Sequence, residues 1–226
     1  MGTDTSGALR HGLPLAELLA YAAVFWADSA GYIPLSKTPV LLLVASASLR
    51  LRRMRWRDTG LAWPAHGARL LALGAVAGIA FWAFEYFVEN PVLWRLTGTY
   101  PDLTAFREVV GNLPLLGVYL LLNLLLAAIG EEMVWRGHAL PRVAGVLGGS
   151  MRAWWLALLV VNAAFGLAHA YQGAPGMVQA AVQGVLLGAL YIATGRNLVA
   201  PMAAHFMANN CDFLLIYLGR HVGLGH

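Results

Sequence analysis

Glu131 and Glu132 stand side by side at the end of a long apolar run, and Arg136 follows four residues after Glu132. Adjacent residues on a helix point about 100° apart, whereas residues four apart share a face. Glu132 and Arg136 are therefore predicted to pair, with the acid N-terminal to the base, the favourable order. Glu131 is left on another face, free for other work. Two later apolar segments carry Phe165-x-x-x-His169 and His205-x-x-x-Asn209. A carboxylate beside a neutral imidazole can activate water as a general base, and desolvation strengthens it in that role. A histidine and an asparagine on another helix can donate hydrogen bonds to a tetrahedral oxyanion. Glu131, His169, His205 and Asn209 thus match the parts of a hydrolytic site that needs no cofactor. Glu131, His169 and His205 would equally make a three-ligand zinc site, and the sequence leaves both open.

Each cluster taken alone also has a purely structural reading. Glu132–Arg136 is an ordinary helical ion pair. A lone histidine in a Gly/Ala-rich helix more often joins helices, and so do Asn162 and Asn209. Together they exceed what packing requires, because three apolar segments each present a polar stripe. Asn123 precedes Glu131 on one segment, Asn162 and His169 share a face of the next, and His205, Asn209 and Asp212 share a face of the last. Lipid satisfies none of these groups, so the stripes are expected to face one another. Other hydrolytic signatures are missing: the sequence has no G-x-S-x-G elbow and no H-E-x-x-H helix. Cys211, the single cysteine, lies about 120° from His205 in projection, so that histidine cannot activate it.

The elements that must position these residues are apolar helices. The chain of 226 residues is 59% hydrophobic and 12% charged, where soluble domains carry about 25% charge. Seven apolar segments are read: 13–32, 39–51, 69–88, 113–140, 154–170, 177–194 and 198–218. The second is short for a span. Pro91 and Pro101 argue against a continuous helix in 89–112. Trp154 and Trp155, beside Arg152, read as interfacial anchors. With all seven segments crossing and a cytoplasmic N-terminus, eleven of the 15 lysines and arginines lie inside, Arg10 and the cluster Arg50 to Arg57 among them. The first twelve residues are polar, so no removable signal peptide is expected. The net charge of +4 comes largely from that cluster and does not argue for nucleic acid. Gly74-x-x-x-Gly78 and Gly184-x-x-x-Gly188 fit close helix packing, within a monomer or in a weak homodimer. The expectation is a single all-α domain over 1–226, a polytopic membrane protein of seven to eight transmembrane helices around a polar cavity. Its motif-bearing core covers about 113–218.

The ordered triple Glu131-Glu132-x-x-x-Arg136, Phe165-x-x-x-His169 and His205-x-x-x-Asn209 resembles the CPBP intramembrane proteases. That family includes type II CAAX prenyl endopeptidases and bacterial Abi proteins, and a branch accompanies exosortase sorting systems. The resemblance implies about eight helices around an intramembrane cavity and hydrolysis of a peptide bond in a membrane-associated or lipidated substrate. It implies water activation by Glu131 and His169, oxyanion donation by His205 and Asn209, and support from Glu132, Arg136 and Phe165. The Ala/Leu/Gly/Arg-rich composition points to a bacterial inner membrane. Two readings of other classes compete: a non-enzymatic immunity or scaffold protein of the same fold, and a transporter of ions or polar substrates. The latter lacks an inverted repeat.

Depth sets a constraint on the site. At 1.5 Å per residue, Glu131 is about 15 Å from Pro141 and His205 about 13 Å from Arg196, but His169 is about 25 Å from Arg152. Straight helices would leave His169 roughly 10 Å beyond the others; tilt, or a fifth helix that starts later, would close the gap.

Overall fold

A computed structural model describes the backbone of residues 5–34 and 36–225, and their side chains from residue 16 onward. Arg10 and the start of the first apolar segment lie outside the described side chains. Among the described residues all regular structure is helical, with no strand. Seven helices follow the seven apolar segments: α1 Thr5–Ser29, α2 Thr38–Leu51, α3 Gly67–Thr97, α4 Leu113–Val146, α5 Met151–Leu167, α6 Gly173–Ala193 and α7 Val199–Tyr217. Among the described residues three are long and apolar enough to cross a membrane: α3, α4 and Ala170–Ala193, which contains α6. The helices α2 and α5 are shorter but apolar.

The burial pattern is that of a protein in lipid. Only 17% of the apolar window of α3 is buried inside the protein, and Leu71, Leu73, Val76 and Ile79 point outward. Leu121, Leu124 and Leu125 of α4 and Leu156, Leu159 and Val160 of α5 do the same. Glu132, Arg136, Asn162 and His205, by contrast, are enclosed. Exposed apolar area on this scale calls for an apolar surround, and polar groups turned inward satisfy one another.

Segment 89–112 is not one continuous helix, as the sequence reading expected, but the break does not fall at Pro91. A π turn, Glu85–Glu89, precedes it, and the helix continues to Thr97. α4 repeats the device: π turns over Asn123–Glu131 and Met133–Ala139 precede Pro141, and the helix runs on to Val146. Proline removes an N–H and crowds the carbonyl four residues back; a widened turn at that point absorbs both effects. Helix α3 does stop before Pro101, at Gly98, whose φ of 73° only glycine adopts readily. Segment 89–112 holds no separate eighth helix among its described residues, only the end of α3 and a 3-10 turn, Thr104–Val109.

The two GxxxG pairs bring helices together within the chain. A Cβ on Gly74 would collide with the carbonyl of Ala200, and one on Gly78 with that of Ala204, so α3 lies directly on α7. A Cβ on Gly184 would meet the Asn162 amide, and one on Gly188 would meet Leu158, so α6 lies as closely on α5. Trp154 is not an interfacial anchor. It is buried in the core, with the Arg196 guanidinium 4.1 Å from its ring centroid, because the loop after α6 folds back over the start of α5. Trp155 is exposed.

Candidate active site

α4 carries both glutamates, and their adjacency sends them to different surroundings. Glu132 is enclosed. Its Oε1 accepts Arg136 Nη1 at 2.8 Å and His205 Nδ1 at 2.8 Å. The second guanidinium nitrogen, Arg136 Nη2, donates to Asn162 Oδ1 at 3.2 Å and to the Gly184 carbonyl at 2.9 Å. The Asn162 amide is set by its own bond to the Leu158 carbonyl, at 2.7 Å. The guanidinium also lies 5.0 Å from the Phe165 ring centroid. A charge withdrawn from water needs pairing and hydrogen bonds; groups from α4, α5, α6 and α7 hold the guanidinium and Oε1 of Glu132, while Oε2 of Glu132 has no partner among the described residues.

His169 falls just past the end of α5. Its Nδ1 is 2.9 Å from the Phe165 carbonyl oxygen. A carbonyl only accepts, so Nδ1 bears the proton and Nε2 keeps its lone pair. The ring also packs edge-on to Phe165, at 4.7 Å between centroids. Phe165 therefore touches both the Arg136 network and His169, and carries no chemistry of its own.

Asn209 sits in a chain of carboxamides. Its Nδ2 donates to Asn123 Oδ1 at 3.0 Å, and its Oδ1 receives Gln183 Nε2 at 3.5 Å. Asn123 in turn donates to Asn210 Oδ1 at 2.8 Å and to the Phe206 carbonyl at 3.2 Å. One amide hydrogen of Asn209 remains unused.

Glu131, His169, His205 and Asn209 line one cavity of about 250 Å³, together with Asn123, Gln183, Tyr171, Glu85 and Asp212. Among the described residues nothing hydrogen-bonds to Glu131. Glu132, Arg136 and Phe165 are not among the lining residues; they stand behind its wall. The depth constraint eases because α4 does not end near Pro141. Measured from Val146, Glu131 is about 22 Å along its helix, against about 27 Å for His169 from Met151. The fifth helix does not start late.

The zinc set does not fit. Among the described residues, no three His, Cys, Asp or Glu side chains are placed to hold a metal ion, and His205 Nδ1 is occupied by Glu132. Cys211 is a half-buried free thiol that does not line the cavity. Glu85, Tyr171 and Gln183 went unread in the sequence. Glu85 had a signal, as a lone carboxylate in the third apolar segment.

A second buried polar cluster joins α1, α2 and α4. Ser48 Oγ donates to Glu17 Oε1, which also accepts Arg52 Nε at 2.9 Å and Nη2 at 2.8 Å. His138 Nε2 lies 2.9 Å from Ser48 Oγ, and Tyr21 Oη lies 2.8 Å from His138 Nδ1. The composition is that of a hydrolase triad, but the polarity is reversed. With its one proton given to Glu17, Ser48 must accept from His138 Nε2, and His138 Nδ1 accepts from Tyr21. The histidine thus cannot take a proton from this serine, as a nucleophilic serine requires.

The fold and cavity define a protein of membrane type, all-helical among the described residues, with a polar cavity of acid, imidazole and carboxamide groups. Residues 113–211, from the start of α4 into α7, match the family described as type II CAAX prenyl endopeptidase Rce1-like, a family of proteases. This segment contains all three motifs that carry the resemblance. No curated protein and no solved structure is detectably similar to the chain.

Proposed function

We propose that this chain is an intramembrane endopeptidase that hydrolyses a peptide bond in a membrane-associated or lipidated substrate. The observation that carries the reading is the division between the two glutamates: Glu132 is consumed by Arg136 and His205, while Glu131 faces the cavity with His169 and Asn209. Glu131 takes a proton from water. His169 Nε2 accepts the second O–H and orients the attacking lone pair. Oxygen adds to the carbonyl carbon, and the resulting oxyanion receives hydrogen bonds from Asn209 Nδ2 and His205 Nε2. Protonated Glu131 then returns its proton to the leaving amine as the C–N bond breaks.

The His205 role sets a charge requirement. Its Nδ1 already donates to Glu132, so donation from Nε2 needs the doubly protonated ring. The Glu131, Glu132, Arg136 and His205 group then holds two carboxylates, one guanidinium and one imidazolium, and is neutral in itself. Moving the water proton to Glu131 creates the oxyanion and removes the carboxylate charge, so neutrality is kept across the step. In a low-dielectric site that constancy lowers the barrier.

The protein is proposed to lie in a bacterial inner membrane with its N-terminus in the cytoplasm and its seven helices all crossing, acting as a monomer or weak homodimer. The test is purified protein against a library of membrane-anchored peptides, comparing wild type with Glu131→Ala, with and without chelator. Cleavage that needs Glu131 and survives the chelator supports the reading. Cleavage that persists in Glu131→Ala, or no cleavage of any peptide, overturns it.

A further inference from the structure

The cavity has a second end. Glu85, in the π turn of α3, lines it together with Asp212 of α7. Glu85 is 8% exposed, and among the described residues nothing hydrogen-bonds to its carboxylate. Asp212 and Glu89 act on it through space as like charges. Asp212 is held at one oxygen only: Oδ1 accepts Trp82 Nε1 at 3.0 Å and His221 Nε2 at 3.2 Å. The Gly223 backbone N–H donates to His221 Nδ1 at 3.1 Å. That nitrogen therefore bears no proton, and His221 is a neutral donor rather than a counter-ion. None of the described lining residues is Lys or Arg. A buried carboxylate without a hydrogen-bond partner, beside a partly exposed one and with no cation between them, is costly as it stands.

We propose that this end of the cavity is a subsite for a basic side chain of the substrate, a lysine ammonium or arginine guanidinium held between Glu85 and Asp212. The proposal rests on the endopeptidase reading of the other end. A metal ion is a poorer occupant, since no three-ligand set is assembled. Phe106, Phe213 and Ile216 line the same space and suit the aliphatic stem that carries such a charge. The cavity is small, about 250 Å³, so a cation at one wall and a scissile carbonyl at the other belong to neighbouring residues. The competing account is that Glu85 is simply protonated and binds nothing.

The test uses the full-length protein in proteoliposomes and one membrane-anchored peptide. Each position around the cut is varied in turn among lysine, arginine, norleucine and glutamate. At one position the basic peptides should exceed norleucine by at least about tenfold in kcat/KM, the scale of one well-desolvated charge contact. Glu85→Gln should collapse that ratio, and Glu85→Lys should turn the preference towards glutamate. A merely structural role for Glu85 would not produce that reversal. Absence of a preference at every position, or a preference that survives Glu85→Gln, overturns the proposal. Should wild type cleave none of the peptides, the endopeptidase reading fails, and equilibrium binding decides the subsite separately. Tighter binding of the lysine peptide than of the norleucine peptide, lost in Glu85→Gln, then supports it; equal binding sinks it.

Discussion

His205 Nδ1 lies 2.8 Å from Glu132 Oε1, the same oxygen that accepts Arg136 Nη1. One carboxylate oxygen thus ties α7 to α4 and fixes the imidazole that turns its other nitrogen to the cavity. Among the described residues the neighbouring Glu131 makes no such bond. The two glutamates differ by one position in sequence and by their whole electrostatic surroundings.

Their substitutions should therefore separate stability from turnover. Glu132→Gln strips the charge partner from a guanidinium that is 1% exposed, and breaking a buried pair costs about 3–5 kcal/mol. Thermal unfolding in detergent should shift strongly downward. Glu131→Gln should leave unfolding near wild type while kcat falls by roughly 10²–10⁴-fold, the worth of a general base. Equal thermal shifts in the two variants would contradict this assignment.

Asn123 is expected to act through Asn209. It accepts from the Asn209 amide at 3.0 Å and spends both its own amide hydrogens on α7. Asn123→Ala frees the Asn209 side chain to rotate, so the variant should lose part of an oxyanion donor, whose full removal costs about 10²–10³-fold. The fall should appear in kcat with KM held, and Asn123→Asp, which keeps the acceptor, should recover part of it. A change confined to KM would place Asn123 in substrate binding instead.

The helical spacing made much of this site legible. The i to i+4 distance gave the Glu132–Arg136 bond, and the stripe His205, Asn209, Asp212 gave three residues that do line one cavity. What spacing could not give was the partner across helices. Nothing in the sequence says that His205 would meet Glu132 rather than Glu131, because that depends on how α7 is rotated against α4. The segment ends at 88 and 140 fell short for a different reason: a π turn lies ahead of Pro91 and of Pro141 and lets each helix run on past the proline. Trp154 misled because its neighbours in sequence resemble a membrane boundary, while the residue that covers it, Arg196, is distant in the chain.

The packing of α3 on α7 yields a third prediction. A side chain at Gly78 has no room against Ala204, so Gly78→Val should destabilise by about 1–3 kcal/mol, as overpacking does. Gly117 has no neighbour within 4 Å of an added Cβ, and Gly117→Ala should stabilise slightly, by about 0.5–1 kcal/mol in a helix interior. Unfolding midpoints give both values. Size-exclusion with light scattering gives the control, because Gly78→Val should not alter the mass of the particle. A loss of dimer without loss of stability would move the GxxxG pair to an intermolecular interface.

Ser48 tests whether the second polar cluster is structural. It links Glu17 to His138, and through His138 to Tyr21, so it joins α1, α2 and α4. Ser48→Ala leaves His138 Nε2 without an acceptor in a buried position. Glu17 keeps Arg52, at 2.8 and 2.9 Å. A buried donor left unsatisfied costs about 1–3 kcal/mol, so the unfolding midpoint should fall. Turnover per folded molecule should stay at the wild-type level, because the proton order at this serine runs from histidine to serine to carboxylate. Loss of all turnover with an unchanged midpoint would make Ser48 a nucleophile, and Glu131 would then lose its place as the base.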